Sequence, residues 1–348
     1  MSWCIVSLTA SYHPLPLKNP FVLSIRTATN ANVIRWRMGL DDGSEYLGEC
    51  VPVQYVTGET LDSVLEIAPL MERLLQGRKI KDVEAIIDSL FNAFPLDVAA
   101  RAGVEIALFN AFAGEREVPL HRIFGKADAT LETDLTISRI PNAVEVASGA
   151  SKEGFRIFKV KVGGGSMEED IDRILGIASA VPDAIFRLDA NQALTVESTL
   201  ELVTSLLQQG TYIELIEQPV PKADLAALDE VSRISPVSII ADESCCSPSD
   251  ALRLFSETSV HGVNVKLMKS GISGALDIIR IAQSAGKKLM IGCMLESEVG
   301  IAASVALACG TGAFDYVDLD GHLLIDIPTP ITLFDARGPY LRTLPTGE

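Results

Sequence analysis

Charged side chains recur at one structural position after about residue 155, at or just after the end of a short apolar segment. Those that could carry chemistry are Lys159, Lys161, Asp189, Glu217, Asp242, Lys266, Asp318 and Asp320. Counted from Lys159, the next segment ends follow at steps of 30, 28, 25 and 24 residues, at Asp189, Glu217, Asp242 and Lys266. Each step is about the length of one strand–helix unit. Parallel strands end on the same side of a sheet, so we expect these groups to surround one site there.

Three of these groups, Asp189, Glu217 and Asp242, are carboxylates from consecutive apolar segments. Carboxylates that are brought together repel one another unless a cation lies between them. A ligand set made only of oxygen atoms suits Mg2+ better than Zn2+. We therefore predict one Mg2+ per subunit at these residues. The alternative is three separate salt bridges at three loop starts.

The lysines suit proton transfer. Lys159 and Lys161 lie two residues apart in one predicted strand, so their side chains share a face. Two ammonium groups this close to each other and to a divalent cation disfavour each other's protonation, which predicts lowered pKa values for the pair and suits a general base. Lys266 comes from a later apolar segment, which the barrel predicted below places on the far side of a ring of strands. With a lysine on each side of a substrate, one lysine can remove a proton from one face and the other can return a proton to the opposite face. The alternative is that these lysines are solvated surface charges without a catalytic role.

Eight apolar segments, separated by helical patterns, must position these side chains. They span residues 133–138, 156–162, 185–189, 213–217, 237–242, 262–267, 289–294 and 316–320. Parallel strands must be joined by crossover connections such as these helices, and eight such strands can close into a barrel. The usual final helix is missing from the pattern. We therefore predict an α/β fold, with a modified (β/α)7β TIM-type barrel over residues 125–322.

The first 124 residues predict a different unit, an α+β capping domain. Three strands are predicted at residues 3–12, 32–38 and 44–50, the last two joined by the turn signal Asp41-Asp42-Gly43. Thr60 and Asp97 are the predicted N-caps of two helices that end near residues 77 and 114. The C-terminal tail, residues 323–348, is predicted to return to this domain.

Composition limits the possible partners. The chain has 348 residues, 48% of them apolar, with 46 acidic and 29 basic side chains and a net charge of −17, so it is a packed globular protein. Such an acidic surface disfavours broad contacts with nucleic acid or anionic membranes.

No apolar run reaches the ~18 residues of a membrane span, and the first residues predict a strand and not a signal peptide. Six cysteines without a CxxC pair predict reduced thiols and a cytoplasmic protein, and a homo-oligomer stays open.

Five motifs, in this order along the chain, resemble the enolase superfamily and, within it, the muconate-cycloisomerase-like branch. They are FKVKV at 158–162, RLDANQ at 187–192, IEQP at 216–219, ADES at 241–244 and VKLMK at 265–269. The resemblance extends from the capping domain to the eighth strand. Members of this superfamily are known to use a Lys or His base together with Mg2+, so the resemblance implies this mechanism for the present chain.

The branch contains cycloisomerases, o-succinylbenzoate synthases, N-acylamino-acid racemases and dipeptide epimerases. GCMLES at 292–297, followed by DLDG at 318–321, resembles the dipeptide epimerases, in which two aspartates hold the substrate's free α-ammonium. This implies a 1,1-proton transfer at the α-carbon of a dipeptide's C-terminal residue through an enediolate, with L-Ala-D/L-Glu as a candidate substrate. The alternatives are another reaction of this branch on the same intermediate and a barrel that binds without catalysis.

The resemblance also implies individual roles. Lys161 and Lys266 would be the acid/base catalysts, acting on the D- and the L-configured residue respectively, and Asp189, Glu217 and Asp242 the Mg2+ ligands. The implied substrate-binding residues are Lys159, Thr136, Cys293, Leu295, Asp318, Asp320 and Arg26. Arg26 matches a position that binds the glutamate side chain in alanyl-glutamate epimerases. Asn191 and Glu243 would lie behind these groups. The segment Lys269-Ser270-Gly271-Ile272 has one glycine fewer than the family pattern, and the tail is short.

Overall fold

The computed structural model describes residues 2–22, 27–326 and 331–344. In the N-terminal part, β1 (Ile5–Val22), β2 (Thr27–Leu40) and β3 (Glu45–Cys50) form an antiparallel sheet in the order β1-β2-β3. The helices of this part are α1 (Gln54–Thr57), α2 (Leu61–Leu75), α3 (Val83–Ala93), α4 (Val98–Glu115) and α5 (His121–Phe124). A short 3-10 helix, Ile80–Asp82, precedes α3.

Two local features of this part differ from the prediction. The first strand runs far beyond residue 12, because β1 is an edge strand and tolerates Pro14 and Pro16 while its pairing with β2 continues to Val22. Thr60 caps α2 as predicted, but the side chain of Asp97 makes no capping bond at α4. The buried Glu59 accepts the free N–H groups at the start of α4 instead. The sequence prediction considered only the residue at the helix start, whereas the carboxylate comes from a preceding loop.

The second part contains eight parallel strands in ring order, separated by helices. The strands are β5 (Leu135–Ile137), β6 (Ile157–Lys161), β7 (Ile185–Asp189), β8 (Ile213–Glu217), β9 (Ser238–Ala241), β10 (Gly262–Val265), β11 (Lys288–Gly292) and β12 (Tyr316–Asp318). The helices are α6 (Ala143–Lys152), α7 (Met167–Ala180), α8 (Val196–Gln208), α9 (Leu225–Ile234), α10 (Pro248–Glu257), α11 (Leu267–Ser284), α12 (Glu298–Thr311) and α13 (Gly321–Leu324). The predicted barrel, with only a single helical turn after its last strand, is confirmed.

Two hydrogen bonds join the first and last strands of the ring. The N–H of Asp134 donates to the carbonyl of Val317 at 3.1 Å, and the N–H of Leu319 donates to Thr133 Oγ1 at 2.8 Å. The segment that carries Asp318 and Asp320 is therefore held against the start of β5. Within the described ranges, no helix is long and apolar enough to cross a membrane.

The tail contacts both parts of the chain. Leu17 of β1 forms an antiparallel bridge with Ile325, and the N–H of Asp326 donates to the carbonyl of Pro16 at 2.7 Å. The hairpin of β13 (Asp335–Arg337) and β14 (Tyr340–Arg342) pairs instead with the short strand β4 (Leu131–Glu132), just before the barrel. The domain boundaries at residues 124/125 and 322/323 stay a prediction.

Close backbone packing holds the capping part together, and a buried acid joins it to the barrel. A Cβ atom on Gly48 of β3 would lie 1.9 Å from the carbonyl oxygen of Gly103, so only glycine allows β3 and α4 to approach this closely. Glu49, also on β3, accepts the N–H of Ser297 at 2.7 Å. Because Ser297 begins α12 just beyond the carboxyl end of β11, this contact fixes the capping sheet above the barrel mouth.

Candidate active site

The order of the strands places the charged groups in two arcs at the carboxyl end of the barrel. Lys161 ends β6 and Lys266 follows β10, four strands further round the ring of eight. These two lysines therefore face each other across the barrel mouth. The arc from β7 to β9 carries Asp189, Glu217 and Asp242, and the arc from β11 to β5 carries Cys293, Asp318, Asp320 and Thr136.

The carboxylates of the first arc are buried, and each lies against a lysine ammonium. Lys161 Nζ is 2.6 Å from Asp189 Oδ2, and Lys266 Nζ is 2.7 Å from Asp242 Oδ2. Lys159 Nζ lies 2.7 Å from Glu217 Oε2 and 3.1 Å from Asp189 Oδ2. The three predicted ligands are thus brought to one mouth, where carboxylates alternate with ammonium groups.

Because their lysine partners differ, the three acids have different pKa shifts. Although burial opposes ionisation, Lys161 and Lys159 hold the pKa of Asp189 below its ordinary value. Against the same effect of burial, Lys266 and Lys269 lower the pKa of Asp242. Burial and the neighbouring Asp189 instead raise the pKa of Glu217 to about 7, because its ammonium partner Lys159 is shared with other acids.

The prediction of a lowered pKa is wrong for Lys159. Burial acts to lower its pKa, but Asp318, Glu217 and Asp189 raise it well above the ordinary value. Lys266 behaves alike, since Asp242 and Glu217 overcome the effect of burial and raise its pKa. The prediction weighed a neighbouring ammonium and a divalent cation, whereas in the folded chain several carboxylates surround Lys159 and raise its pKa.

Asp318 and Asp320 of the second arc lie beside a third acid, Asp134, which directly precedes β5 and is counted with this arc below. One oxygen each of Asp134, Asp318 and Asp320 lies within 4.8 Å of the others. Asp318 Oδ2 is 2.6 Å from Lys159 Nζ, and Arg187 Nη1 donates to Asp134 Oδ2 at 2.9 Å. Asp320 Oδ2 accepts the N–H of Thr136 at 2.5 Å, and no basic side chain of the described ranges lies within 4.0 Å of the Asp320 carboxylate. Asp320 is therefore a buried acid that lacks a cation.

A pocket opens between the two arcs and the capping domain. Thr136, Cys293 and Leu295 line it, as the resemblance implied. Asn191 and Glu243 line it too, and Asn191 Nδ2 donates to Glu243 Oε1 at 3.3 Å. Burial and Asp242 raise the pKa of Glu243 to about 7.

The wall that the capping domain contributes to this pocket is largely apolar. Its members are Phe21, Val51, Val53, Tyr55 and Val56. Phe21 lies near the end of β1, and its ring centroid is 5.6 Å from Lys161 Nζ. Arg26, which the resemblance implies as a substrate-binding residue, lies outside the described residues.

Sequence reasoning missed two groups that hold the carboxylates. Lys269 is buried and donates to Asp242 Oδ1 at 2.6 Å and to the carbonyls of Asp242 and Asn264 at 2.7 and 2.8 Å. Asn264 Nδ2 donates to Glu217 Oε1 at 2.8 Å. A signal was present in VKLMK, because a lysine within an apolar run must find a partner once it is buried. Nothing in the spacing named that partner.

Comparisons with known proteins agree with this geometry. Residues 5–125 match the mandelate racemase/muconate lactonizing enzyme N-terminal domain, and residues 142–328 match the enolase C-terminal domain-like family. An L-Ala-D/L-Glu epimerase from Thermotoga maritima is 35% identical over 343 residues, which cover 97% of this chain and 98% of that protein. The chain belongs to the dipeptide epimerase family of the enolase superfamily.

Two solved structures of this dipeptide epimerase family are similar over nearly their whole length. The substrate-liganded L-Ala-D/L-Glu epimerase from Bacillus subtilis has a TM-score of 0.93 and 31% identity, covering 98% of this chain and 96% of that one. The dipeptide epimerase from Enterococcus faecalis, in complex with Mg and L-Leu-L-Tyr, has a TM-score of 0.92 and 32% identity, covering 99% and 97%. The likeness therefore includes the capping domain as well as the barrel.

The first arc suits a hard divalent cation. Its three donors are buried carboxylates from consecutive strands and offer only oxygen atoms, the ligands that Mg2+ prefers. Glu217 Oε2 is buried and makes no hydrogen bond, although Lys159 Nζ lies 2.7 Å away. In the second arc, Lys159 and Arg187 already neutralise two of the three acids. That arc is better suited to one further monovalent cation.

Proposed function

We propose that this protein is a dipeptide epimerase, which inverts the α-carbon of the C-terminal residue of a dipeptide by a 1,1-proton transfer. The observation that carries the proposal is the order of groups around the barrel mouth. Lys161 and Lys266 face each other, with the carboxylate arc on one side between them and Asp320, which lacks a cation, on the other. A dipeptide offers a carboxylate to the first side, an ammonium to the second and its α-carbon to the lysines.

The residues of the chain divide the work. Asp318 and Asp320 bind the free α-ammonium, and Lys159 supports the substrate carboxylate and the negative charge that develops on it. Lys266 removes the α-proton of the L-configured residue, and Lys161 delivers a proton to the opposite face; in the reverse direction their roles exchange. The capping domain closes the pocket and excludes water from the reacting carbon.

A Mg2+ ion held by Asp189, Glu217 and Asp242 would supply the Lewis acidity that stabilises the enediolate when the proton leaves. The Enterococcus faecalis relative bound to Mg and a dipeptide supports this part of the proposal. The N-acylamino-acid racemase and cycloisomerase reactions remain the in-class alternatives. Asp320 disfavours them, because their substrates bring no ammonium.

Blocking the substrate's amino terminus tests the ammonium site. N-acetylation of the dipeptide is expected to lower kcat/KM about 30-fold or more, since a buried charge-assisted contact is lost. Asp320→Asn should lower kcat/KM for the free dipeptide and leave the acetylated one unchanged. Burial and Asp318 raise the pKa of Asp320 to about 6, so the preference for the free dipeptide should weaken as the pH falls through this value. Equal turnover of both substrates would support the racemase alternative.

The identity of the C-terminal side chain depends on the capping wall. Arg26→Ala is expected to lower kcat/KM for L-Ala-L-Glu about 10- to 100-fold, as expected for a lost charge-assisted hydrogen bond, and to spare L-Leu-L-Tyr. Deuterium uptake at the α-carbon measures both substrates. Arg37→Ala is the matched control, because Arg37 pairs with Glu45 on the exposed part of the sheet.

The apolar wall favours a second candidate, dipeptides with apolar side chains. Val51 and Val53 from the capping domain and Leu295 from the barrel line the pocket. Higher turnover of L-Leu-L-Tyr than of L-Ala-L-Glu, together with no effect of Arg26→Ala, would assign the protein to this class.

A cytoplasmic location and a homo-oligomeric state stay predictions. All six cysteines are free thiols in the structure, in keeping with a reducing compartment.

A further inference from the structure

Gln218 directly follows Glu217 at the end of β8 and occupies an unfavourable backbone conformation. Its φ of 34° lies in the left-handed region, which residues other than glycine rarely adopt. Its side chain is fully buried. Such a conformation costs free energy and persists only where surrounding contacts hold it. The side chain of Gln218 supplies those contacts.

The amide of Gln218 uses its full hydrogen-bonding capacity. Its Oε1 accepts the N–H groups of Asp242 and Ser244 at 2.9 and 3.1 Å. Its Nε2 donates to the carbonyl of Val220 at 3.0 Å and to Ser244 Oγ at 2.9 Å. A primary amide offers two acceptor and two donor positions, and all four are occupied. Gln218 therefore ties the loop after β9 to the end of β8.

The side chain of Gln218 bonds the half of the site that contains Asp242 and Lys266, and not the half that contains Asp189 and Lys161. Asp242, which it holds, pairs with Lys266 at 2.7 Å. Asp189, which pairs with Lys161, is held instead by the N–H of Asn191 at 3.0 Å and receives no bond from the side chain of Gln218. A change at Gln218 should thus disturb Lys266 before it disturbs Lys161.

We infer that Gln218 is a positioning residue for epimerisation: it places Asp242 and, through Asp242, keeps Lys266 aligned with the α-carbon. The inference rests on the proposed function. A neutral amide suits this role, because it donates and accepts without adding a charge beside the carboxylate arc. Methionine in its place would leave the buried N–H of Asp242 and the partly buried N–H of Ser244 without this acceptor.

Gln218→Met tests the inference through an asymmetry between the two substrate isomers. At saturating Mg2+ in deuterium oxide, exchange of the L isomer, which Lys266 deprotonates, is expected to fall about 10- to 100-fold. Exchange of the D isomer, which Lys161 deprotonates, should fall much less. Calorimetric titration with MgCl2 alone should show binding weakened about 10-fold or more, as is typical when a group that orients a metal ligand is lost.

Gln192→Met is the matched control. Gln192 also has a left-handed φ of 72°, but within the described part of the chain its side chain bonds only the N–H of Lys222. The Gln192→Met variant should exchange the α-proton of both isomers, and bind Mg2+, at close to wild-type levels. Should Gln218→Met not fold, Ser244→Ala removes one of the four bonds and is expected to show the same asymmetry at about two- to tenfold.

An equal fall for both isomers, or wild-type exchange and Mg2+ affinity in Gln218→Met, would overturn the positioning role. Wild-type protein that shows no Mg2+-dependent α-proton exchange with any dipeptide would count against the proposed function itself. Running the wild type beside each variant keeps these two failures apart.

Discussion

Replacing either Lys161 or Lys266 by alanine is expected to stop epimerisation and still leave α-proton exchange of one isomer. The two side chains come from β6 and from the end of β10, opposite each other in the ring, so a substrate between them presents one α-face to each. A full turnover needs a proton acceptor on one face and a donor on the other. Loss of a general acid/base group lowers the rate by about 100- to 10,000-fold.

The measurement is NMR in deuterium oxide, with each isomer offered separately to each variant. Lys161→Ala should retain exchange of the L isomer, and Lys266→Ala that of the D isomer. Lys288→Ala is the matched control, because Lys288 pairs with Asp315 at the opposite end of the barrel and is largely exposed. Loss of the same isomer in both variants, or full epimerisation by either one, would show that the two lysines do not divide the faces.

Removal of Mg2+ is expected to abolish exchange of both isomers, and added Mg2+ to restore it. The physical reason is that the enediolate carries more negative charge than the bound substrate, and Mg2+ would neutralise this charge beside the buried carboxylates. Treatment with EDTA, followed by titration with MgCl2, measures this dependence by deuterium uptake. Exchange that continues in metal-free protein would remove the metal from the mechanism.

Two acid-to-amide variants decide which arc holds the ion. Asp242→Asn should weaken Mg2+ binding strongly in calorimetry, because Asp242 belongs to the set of oxygen donors on consecutive strands. Asp320→Asn should bind Mg2+ like the wild type, because its arc is assigned to the substrate ammonium. Thermal unfolding of both variants checks that each is folded. The reverse pattern would place the ion at Asp134, Asp318 and Asp320, whose oxygens also lie close together.

The positions of the charged groups could be predicted because barrel geometry makes them regular. Each catalytic candidate ends or directly follows a short apolar strand, and the strand bounds at β7 and β8 agree with the prediction residue for residue. A strand that is buried on both faces must be apolar, so a charge at its end is conspicuous in the sequence. The same regularity placed Lys161 and Lys266 on opposite sides.

The partners of these charges could not be predicted from spacing. Lys159 contacts acids on three different strands, and this contact set reverses the expected direction of its pKa shift. Glu59 caps α4 from a preceding loop, and β1 continues through prolines that its edge position tolerates. Each of these outcomes depends on a neighbour that lies far away in the chain or on a position in the sheet.

The sequence by itself determined the barrel, the family and the residue types at the mouth, because periodic apolar segments and short motifs are local properties of the chain. The tertiary structure alone decided that Asp320 lacks a cation, that Lys269 holds Asp242, and that Gln218 joins two loops in a left-handed conformation. Hydrogen bonds and charge pairs act over a few ångströms in space. Which groups come that close depends on how the strands are ordered around the ring and how the capping domain is seated above it.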